Sequence, residues 1–216
     1  MSAPSGAAAP SGGAMRRAVS DADKGRRRDE LLAAARDTFA TKGYHGTTMA
    51  DVARAADLSY GVAYWYFDSK DDLFKAVMSA EAGALRARIG ASLTDVAPSG
   101  FREVLTAAVA ATFAYFDENP AAGVLLFREP VALGHDVERH LLDIFEGFIG
   151  ALGRGMGAGA ADVDVAGRPM ALTAFVVATL ISSVALRRSR TDDGMSADEA
   201  AAYVVGLVFD GIGRVP

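Results

Sequence analysis

Residues 48–70 read TMADVARAADLSYGVAYWYFDSK. Thr48 is a good N-cap, and Asp51, three residues on, makes a weak capping box with it. Met49, Val52, Ala53 and Ala56 then form an apolar stripe at helical spacing. Asp57 and Leu58 interrupt the stripe. Ser59 caps a second helix that runs to about Tyr66. Ser69 caps a third, with Asp71 and Asp72 in its first turn, where the helix dipole favours anions. The stretch therefore reads as helix, tight turn, helix. Its second helix is dense in aromatics: Tyr60, Tyr64, Trp65 and Tyr66, with Phe67 following. So short a helix cannot bury them all, and Tyr60 and Tyr64 lie one turn apart. Part of this surface must face outward, where Tyr and Trp tips suit phosphate and base-edge contacts in a major groove.

Upstream, Leu31, Leu32, Ala35 and Phe39 share one helical face, and Gly43 after Lys42 reads as a glycine C-cap. Arg16, Arg17, Lys24, Arg26, Arg27 and Arg28 crowd one short stretch, opposed only by Asp21 and Asp23. Residues 1–14 are almost entirely Ala, Gly, Pro and Ser, without the charge and apolar core of a signal peptide. Residues 1–24 are read as a disordered leader, and Met15 offers an alternative start. Downstream of Ser69 the spacing predicts helices to about Ala80 and then near 81–95, 101–117, 120–131, 136–153, 165–189 and 197–213. Pro98, Asn119-Pro120 and Gly134 punctuate them. The stretch Gly147–Gly167 holds seven glycines and reads as a flexible connection. Ser196 with Glu199 is a strong capping box. Strand signals are nearly absent. The expected fold class is all-α: a helix-turn-helix domain over 25–80 and a larger helical domain over 81–216.

Composition bounds the function. The 216 residues contain no cysteine, which removes disulfides, thiolate metal sites and cysteine nucleophiles. The net charge is −5, yet residues 1–80 hold 11 basic and 10 acidic residues while 81–216 hold 11 and 17. The two parts therefore suit different partners, and a local basic patch survives in an acidic chain. Met170–Leu186 is an uncharged run at the lower length limit for a membrane span, but its Thr and Ser residues favour a buried bundle helix. Gly153, Gly155 and Gly157 match a loose dinucleotide fingerprint, but they follow an amphipathic helix rather than a strand. His135, Asp136, Glu138 and His140 look like metal ligands, but the five-residue spacing separates the two histidines on a helix. No catalytic residue, cofactor or metal is expected.

The residues from Arg27 to about Ala80 resemble the TetR/AcrR transcriptional regulators. The match rests on Asp29-Glu30-Leu31-Leu32, Phe39, Gly43-Tyr44, Thr47-Thr48, Asp51-Val52-Ala53, Ala56, Tyr64-Trp65-Tyr66-Phe67-Asp68-Ser69-Lys70 and Leu73-Phe74. The resemblance implies that Thr48 meets a phosphate through its hydroxyl and amide. It puts Ser59, Tyr60, Gly61, Val62 and Tyr64 toward the groove. It has Trp65, Tyr66 and Lys70 hold the DNA backbone, with Arg27 and Arg28 in an arm that approaches it. Two departures stand out: Asp57 replaces a usual turn glycine, and Tyr60 and Val62 replace frequent lysine and threonine, so no operator sequence carries over. For the side chains themselves, Phe67 suits the core, Tyr66 suits core and surface equally, Lys70 suits phosphate or water, and Trp65 packs either outward or against the preceding helices.

The same resemblance implies a cytoplasmic, non-enzymatic regulator, most simply a repressor. It would bind double-stranded DNA as a homodimer through the helices near 165–189 and 197–213, with Val177 and Leu180 in the seam. A small-molecule effector, lipophilic to suit so apolar a lining, would sit among Phe113, Phe116, Phe127, Arg128 and His140. Competing readings are a helical interaction protein without DNA binding and a membrane-anchored protein.

Overall fold

The computed structural model describes residues 12–93, 100–128 and 170–211, with further positions between 136 and 150. Among the described residues every regular element is helical. Helix α1 spans Gly12–Gly46, but Gly43 breaks it at φ 74°, ψ 165°. That positive φ is open to glycine at little cost, so the regular helix ends after Lys42 as expected. The helix reaches back through residues 12–24, where the sequence predicts a disordered leader. Ala14, Ala18 and Ala22 favour helix, and Arg26 adds pairs one turn away on each side, to Asp23 at 3.0 Å and Glu30 at 3.9 Å.

Helices α2 (Met49–Ala55), α3 (Tyr60–Tyr66) and α4 (Lys70–Ser92) follow. Their starts are set by side-chain caps at Thr48, Ser59 and Ser69, each accepting a backbone N–H three residues on. Between α2 and α3, Asp57 adopts φ 55°, the left-handed conformation that aspartate tolerates better than most residues. The expected division of helices at Ala80 does not occur. No Pro or Asn-Gly interrupts residues 78–83, and α4 continues to Ser92.

Helices α5 (Phe101–Glu118) and α6 (Pro120–Arg128) are separated by Asn119. Helix α7 (Met170–Arg188) and helix α8 (Ala197–Asp210) complete the described elements. The expected starts and ends at 129–131, 165–169 and 212–213 lie outside the described residues, as do the Gly153–Gly157 motif and His135. Helix α8 opens with the Ser196–Glu199 capping box in both directions.

Two cores result. The first joins Leu31, Ala35 and Phe39 of α1 to Val52, Ala63, Leu73, Phe74 and Met78. Phe39 meets Phe74 edge-on at 4.9 Å, and Tyr44 meets Phe74 at 5.0 Å. Leu125 of α6 and Val137 are fully buried in this same core, so the larger helical part closes it from the far side. The second core packs α5 against α8 and α7 through Val109, Phe113, Phe116, Ala178, Ala201 and Val204.

Arg188 locks that second unit. Its side chain is only 6% exposed and reaches Asp117 at 3.0 Å and Asp193 at 2.6 Å, and it donates to the carbonyl of Met195 at 3.0 Å. The guanidinium also lies 5.5 Å from the Phe113 ring. One side chain thus ties the ends of α5 and α7 to the loop before α8.

The outward face of α7 differs from expectation. Val177 is 4% exposed and packs within its own subunit, whereas Phe175 and Val176 face solvent. A helix that is apolar on more than one face leaves this choice to tertiary packing, because periodicity does not say which stripe turns inward. Among the described residues, no helix is long and apolar enough to cross a membrane.

Candidate nucleic-acid interface

Helix α3 buries little of itself. Ala63 is its buried residue, and Phe67, just past its end, enters the first core. Tyr60, Tyr64 and Trp65 are 55%, 39% and 65% exposed. With Gly61 they occupy one helical face, while Val62 and Tyr66 are half-buried at its edge. A Cβ built at Gly61 would meet nothing within 4 Å, so the backbone there is bare toward solvent. The Tyr60 and Tyr64 rings lie 4.8 Å apart, and a hydrogen bond with Tyr60 raises the Tyr64 phenol above its ordinary value. Exposed hydroxyls, an exposed indole N–H and bare backbone form the surface a major-groove reader needs.

The scaffold under α3 is tightly bonded. At the start of α2, Thr48 Oγ1 accepts from the Asp51 N–H at 3.1 Å. Asp51 Oδ2 in turn accepts from the Thr48 N–H at 3.0 Å and from the Thr48 hydroxyl at 2.7 Å. Asp51 Oδ1 accepts from Lys42 Nζ at 2.9 Å and lies 3.5 Å from Arg54 Nη1. The Thr48 hydroxyl bond, then Lys42, hold the Asp51 carboxyl well below the usual carboxylate range. Both Thr48 donors assigned to phosphate by resemblance are therefore already taken by Asp51. Thr48 acts first as the cap of α2.

Lys70 is also turned inward. Its ammonium donates to the carbonyls of Tyr44 at 2.9 Å and Thr47 at 3.1 Å, and lies 4.2 Å from the Tyr44 ring centroid. It closes the orphan carbonyls where α1 ends, and one of its three N–H groups remains for another acceptor. Tyr44 donates its hydroxyl to Asp71, and burial followed by that bond pushes the phenol up. Of the basic residues entering α1, Arg27 and Arg28 are exposed; Arg28 lies 5.2 Å from the Phe67 ring, and Lys24 lies 5.9 Å from the Trp65 ring.

Three cations here have no site role in the sequence reading: Lys24, which enters only as part of the basic stretch, and Lys42 and Arg54. Lys24 had a signal, since it falls one turn before Arg28 on the face that continues into Leu31 and Leu32. Lys42 and Arg54 had none, because their meeting at Asp51 depends on how α1 crosses α2.

The residues assigned to an effector divide differently. Phe113 and Phe116 are fully buried in the second core. Phe127 and Arg128 end α6, but their side chains lie outside the described residues. His140 Nε2 lies 2.8 Å from Ser79 Oγ on α4, in an exposed contact. Among the described residues, no cluster of three His, Asp or Glu side chains suits a metal ion.

Residues 31–77, from the buried stripe of α1 into α4, match the family model for bacterial regulatory proteins of the tetR family. The HTH-type transcriptional activator FasR of Mycolicibacterium smegmatis is 33% identical over 101 residues, covering 47% of this chain and 45% of FasR. That alignment thus spans less than half of FasR's length. The HTH-type transcriptional repressor KstR2 of Rhodococcus jostii is 28% identical over 208 residues, covering 88% of this chain and 92% of KstR2. Among solved structures, FadR from Bacillus subtilis in complex with stearoyl-CoA superposes with a TM-score of 0.75 at 17% identity, covering 85% of this chain and 98% of FadR. At that identity the likeness establishes the fold.

Proposed function

We propose that this chain, a member of the TetR family of bacterial DNA-binding transcriptional regulators, works as a repressor that binds a palindromic operator as a homodimer and is released by a small lipophilic effector. The observation that carries the DNA reading is the exposed face of α3, where Tyr60, Gly61, Tyr64 and Trp65 stand out from a helix anchored by Ala63 and Phe67. Tyr60, Tyr64 and the half-buried Val62 read base edges. Val62 has no polar tip, so it meets apolar base surface such as a thymine methyl. Ser59 and Gly61 bring backbone close to the groove. Trp65, Tyr66, Arg27 and the remaining N–H of Lys70 approach phosphates, with Arg28 beside them over the Phe67 ring. Thr48 joins them where a phosphate displaces Asp51 from its amide and hydroxyl.

Dimerisation is supported by the apolar surface left outside on the last two helices: Phe175 and Val176 on α7, Tyr203 and Val208 on α8. A two-fold operator needs two recognition helices held at fixed spacing. Repression rather than activation follows KstR2, the relative aligned over most of its length, although FasR is an activator. A lipophilic effector is supported by the aromatic interior around Phe113 and Phe116 and by the stearoyl-CoA held in FadR. Phe127, Arg128 and His140 remain candidates beside it. Release follows if the effector prefers the geometry that does not fit DNA.

Selection of bound fragments from random duplex DNA tests this reading. The expected result is an inverted repeat, with binding lost when Val176→Asp leaves a folded but dissociated chain. Recovery of no sequence, with the chain folded and dimeric, would remove DNA recognition from the function.

A further inference from the structure

The basic residues that open α1 are not equivalent. Arg26 is held by Asp23 at 3.0 Å and Glu30 at 3.9 Å on its own helix. Lys24 and Arg28, four residues apart, share a face that runs on into the buried Leu31 and Leu32. Along that face Lys24 Nζ lies 5.9 Å from the Trp65 ring centroid, and the Arg28 guanidinium lies 5.2 Å from the Phe67 ring centroid. Both distances fall within the range of attraction between a cation and an aromatic face. Arg27 lies off that face, is exposed, and has no ion pair among the described residues.

The opposite side of the contact needs support. Helix α3 has seven residues and buries only Ala63. Its C-terminal half depends on neighbours outside it, and Trp65 is held there by an edge contact with Tyr66 at 4.7 Å and by Lys24. We infer that Lys24 and Arg28 are positioning residues for the recognition helix, fixing Trp65 and the Phe67 anchor, and that Arg27 is the residue of this stretch that neutralises DNA phosphate. The inference rests on α3 being the DNA-facing helix. It departs from an arm in which every cation is a phosphate contact, and it assigns Arg28 to α3 instead.

The two roles differ in salt dependence. A phosphate contact releases counterions, so losing one lowers the log–log salt slope by about 0.9 per subunit. A contact with an aromatic ring leaves the slope alone and, at an exposed site, changes binding about two- to fivefold. Trp65 is the chain's single tryptophan, so its emission reads the clasp without DNA.

The experiment compares full-length wild type, Lys24→Met, Lys24→Arg and Arg27→Ala. Acrylamide quenching is measured in free protein, and binding to a random-sequence 30-base-pair duplex is measured across a salt series. Lys24→Met should increase quenching of Trp65, weaken binding two- to fivefold and keep the wild-type slope. Lys24→Arg should restore both quenching and affinity, because guanidinium also sits on an aromatic face. Arg27→Ala should leave quenching unchanged and reduce the slope. A lower slope with unchanged quenching in Lys24→Met would make Lys24 a phosphate contact and overturn the inference. Unchanged quenching and unchanged binding in that variant would overturn it as well. Failure of wild type to bind any duplex would instead refute the DNA reading of α3, while the free-protein quenching still decides whether the clasp exists.

Discussion

The two cores are built by different rules. The first is made from short helices whose ends are each fixed by a side chain: Thr48, Ser59 and Ser69 at the starts, Gly43 and Asp57 at the turns. The second is made from long apolar helices whose ends matter less than their partners, and it is closed by the buried cation Arg188. A seven-residue helix cannot form alone, so α2 and α3 exist only because caps and the first core hold them. Longer helices such as α5 and α7 satisfy most of their own backbone and choose partners by packing. Short capped helices therefore present a fixed surface, as a DNA reader must. Long packed helices have room to shift, which suits a part that responds to a ligand.

The largest expected effect asks whether the cores are independent. Phe39→Ala and Phe113→Ala each remove a fully buried ring and should destabilise by about 3–5 kcal/mol. Leu125 and Val137 fill the first core from the larger part, so urea unfolding of both variants should stay a single transition followed by circular dichroism and by Trp65 emission alike. Separate transitions in the two signals would show that the cores fold apart, and the comparison would become one of two domains rather than two ways of packing one.

Next in size is Arg188→Met. It leaves Asp117 and Asp193 without their cation and should cost about 2–3 kcal/mol, discounted because both carboxylates are about a third exposed. With both cores unfolding together, exchange through global opening should rise throughout, but local opening should rise further in α7 and α8 than in α2 and α3. Equal loosening of both would mean that the second unit props up the first.

How far each region can be read from sequence follows the same division. Caps act within three residues, so Thr48, Ser59, Ser69 and Ser196 are legible, as is the left-handed Asp57. What was not legible depends on residues far away in the chain. The continuity of α4 across Ala80 reflects packing on both cores. The inward turn of Val177 was hidden by a helix apolar on several faces. Lys70 folds back on the Tyr44 carbonyl because α4 begins beside the end of α1. In the candidate site, exposure of Tyr60, Tyr64 and Trp65 follows from too many aromatics on too short a helix. The closure of Thr48 by Asp51, Lys42 and Arg54 requires α1 to cross α2.

The two capping boxes give a smaller effect. Thr48→Ala and Ser196→Ala should each cost about 1 kcal/mol by thermal unfolding. They differ in acid. Asp51 and Glu199 both have folded carboxyls below their unfolded values, so each contributes stability that is complete above the unfolded value and is lost as pH falls through the folded one. Thr48 leads the lowering at Asp51 and Lys42 adds to it, whereas Glu199 is lowered through Ser196 alone. The Tm difference between wild type and Asp51→Asn should therefore persist to lower pH than that between wild type and Glu199→Gln. Coincident loss would mean that Lys42 adds nothing to the first box.

The smallest effect separates the surfaces of the two regions rather than their interiors. Gly61 in α3 and Gly206 in α8 are both helical, and a Cβ at either would meet nothing within 4 Å. Alanine loses less backbone freedom on folding, so Gly61→Ala and Gly206→Ala should each stabilise the chain by roughly 0.5–1 kcal/mol. Their effects on assembly should part. A methyl at Gly61 stands on the face that enters the groove and should weaken binding to selected duplex DNA while leaving the oligomeric state alone. A methyl at Gly206 lies on α8, beside the exposed Tyr203, and should alter dimer dissociation first and DNA binding only through it. Analytical ultracentrifugation and a binding titration on the same two proteins read both effects. If Gly61→Ala bound DNA as well as wild type, the backbone of α3 would not approach the groove closely, and Tyr60 and Tyr64 would have to reach it across a wider gap.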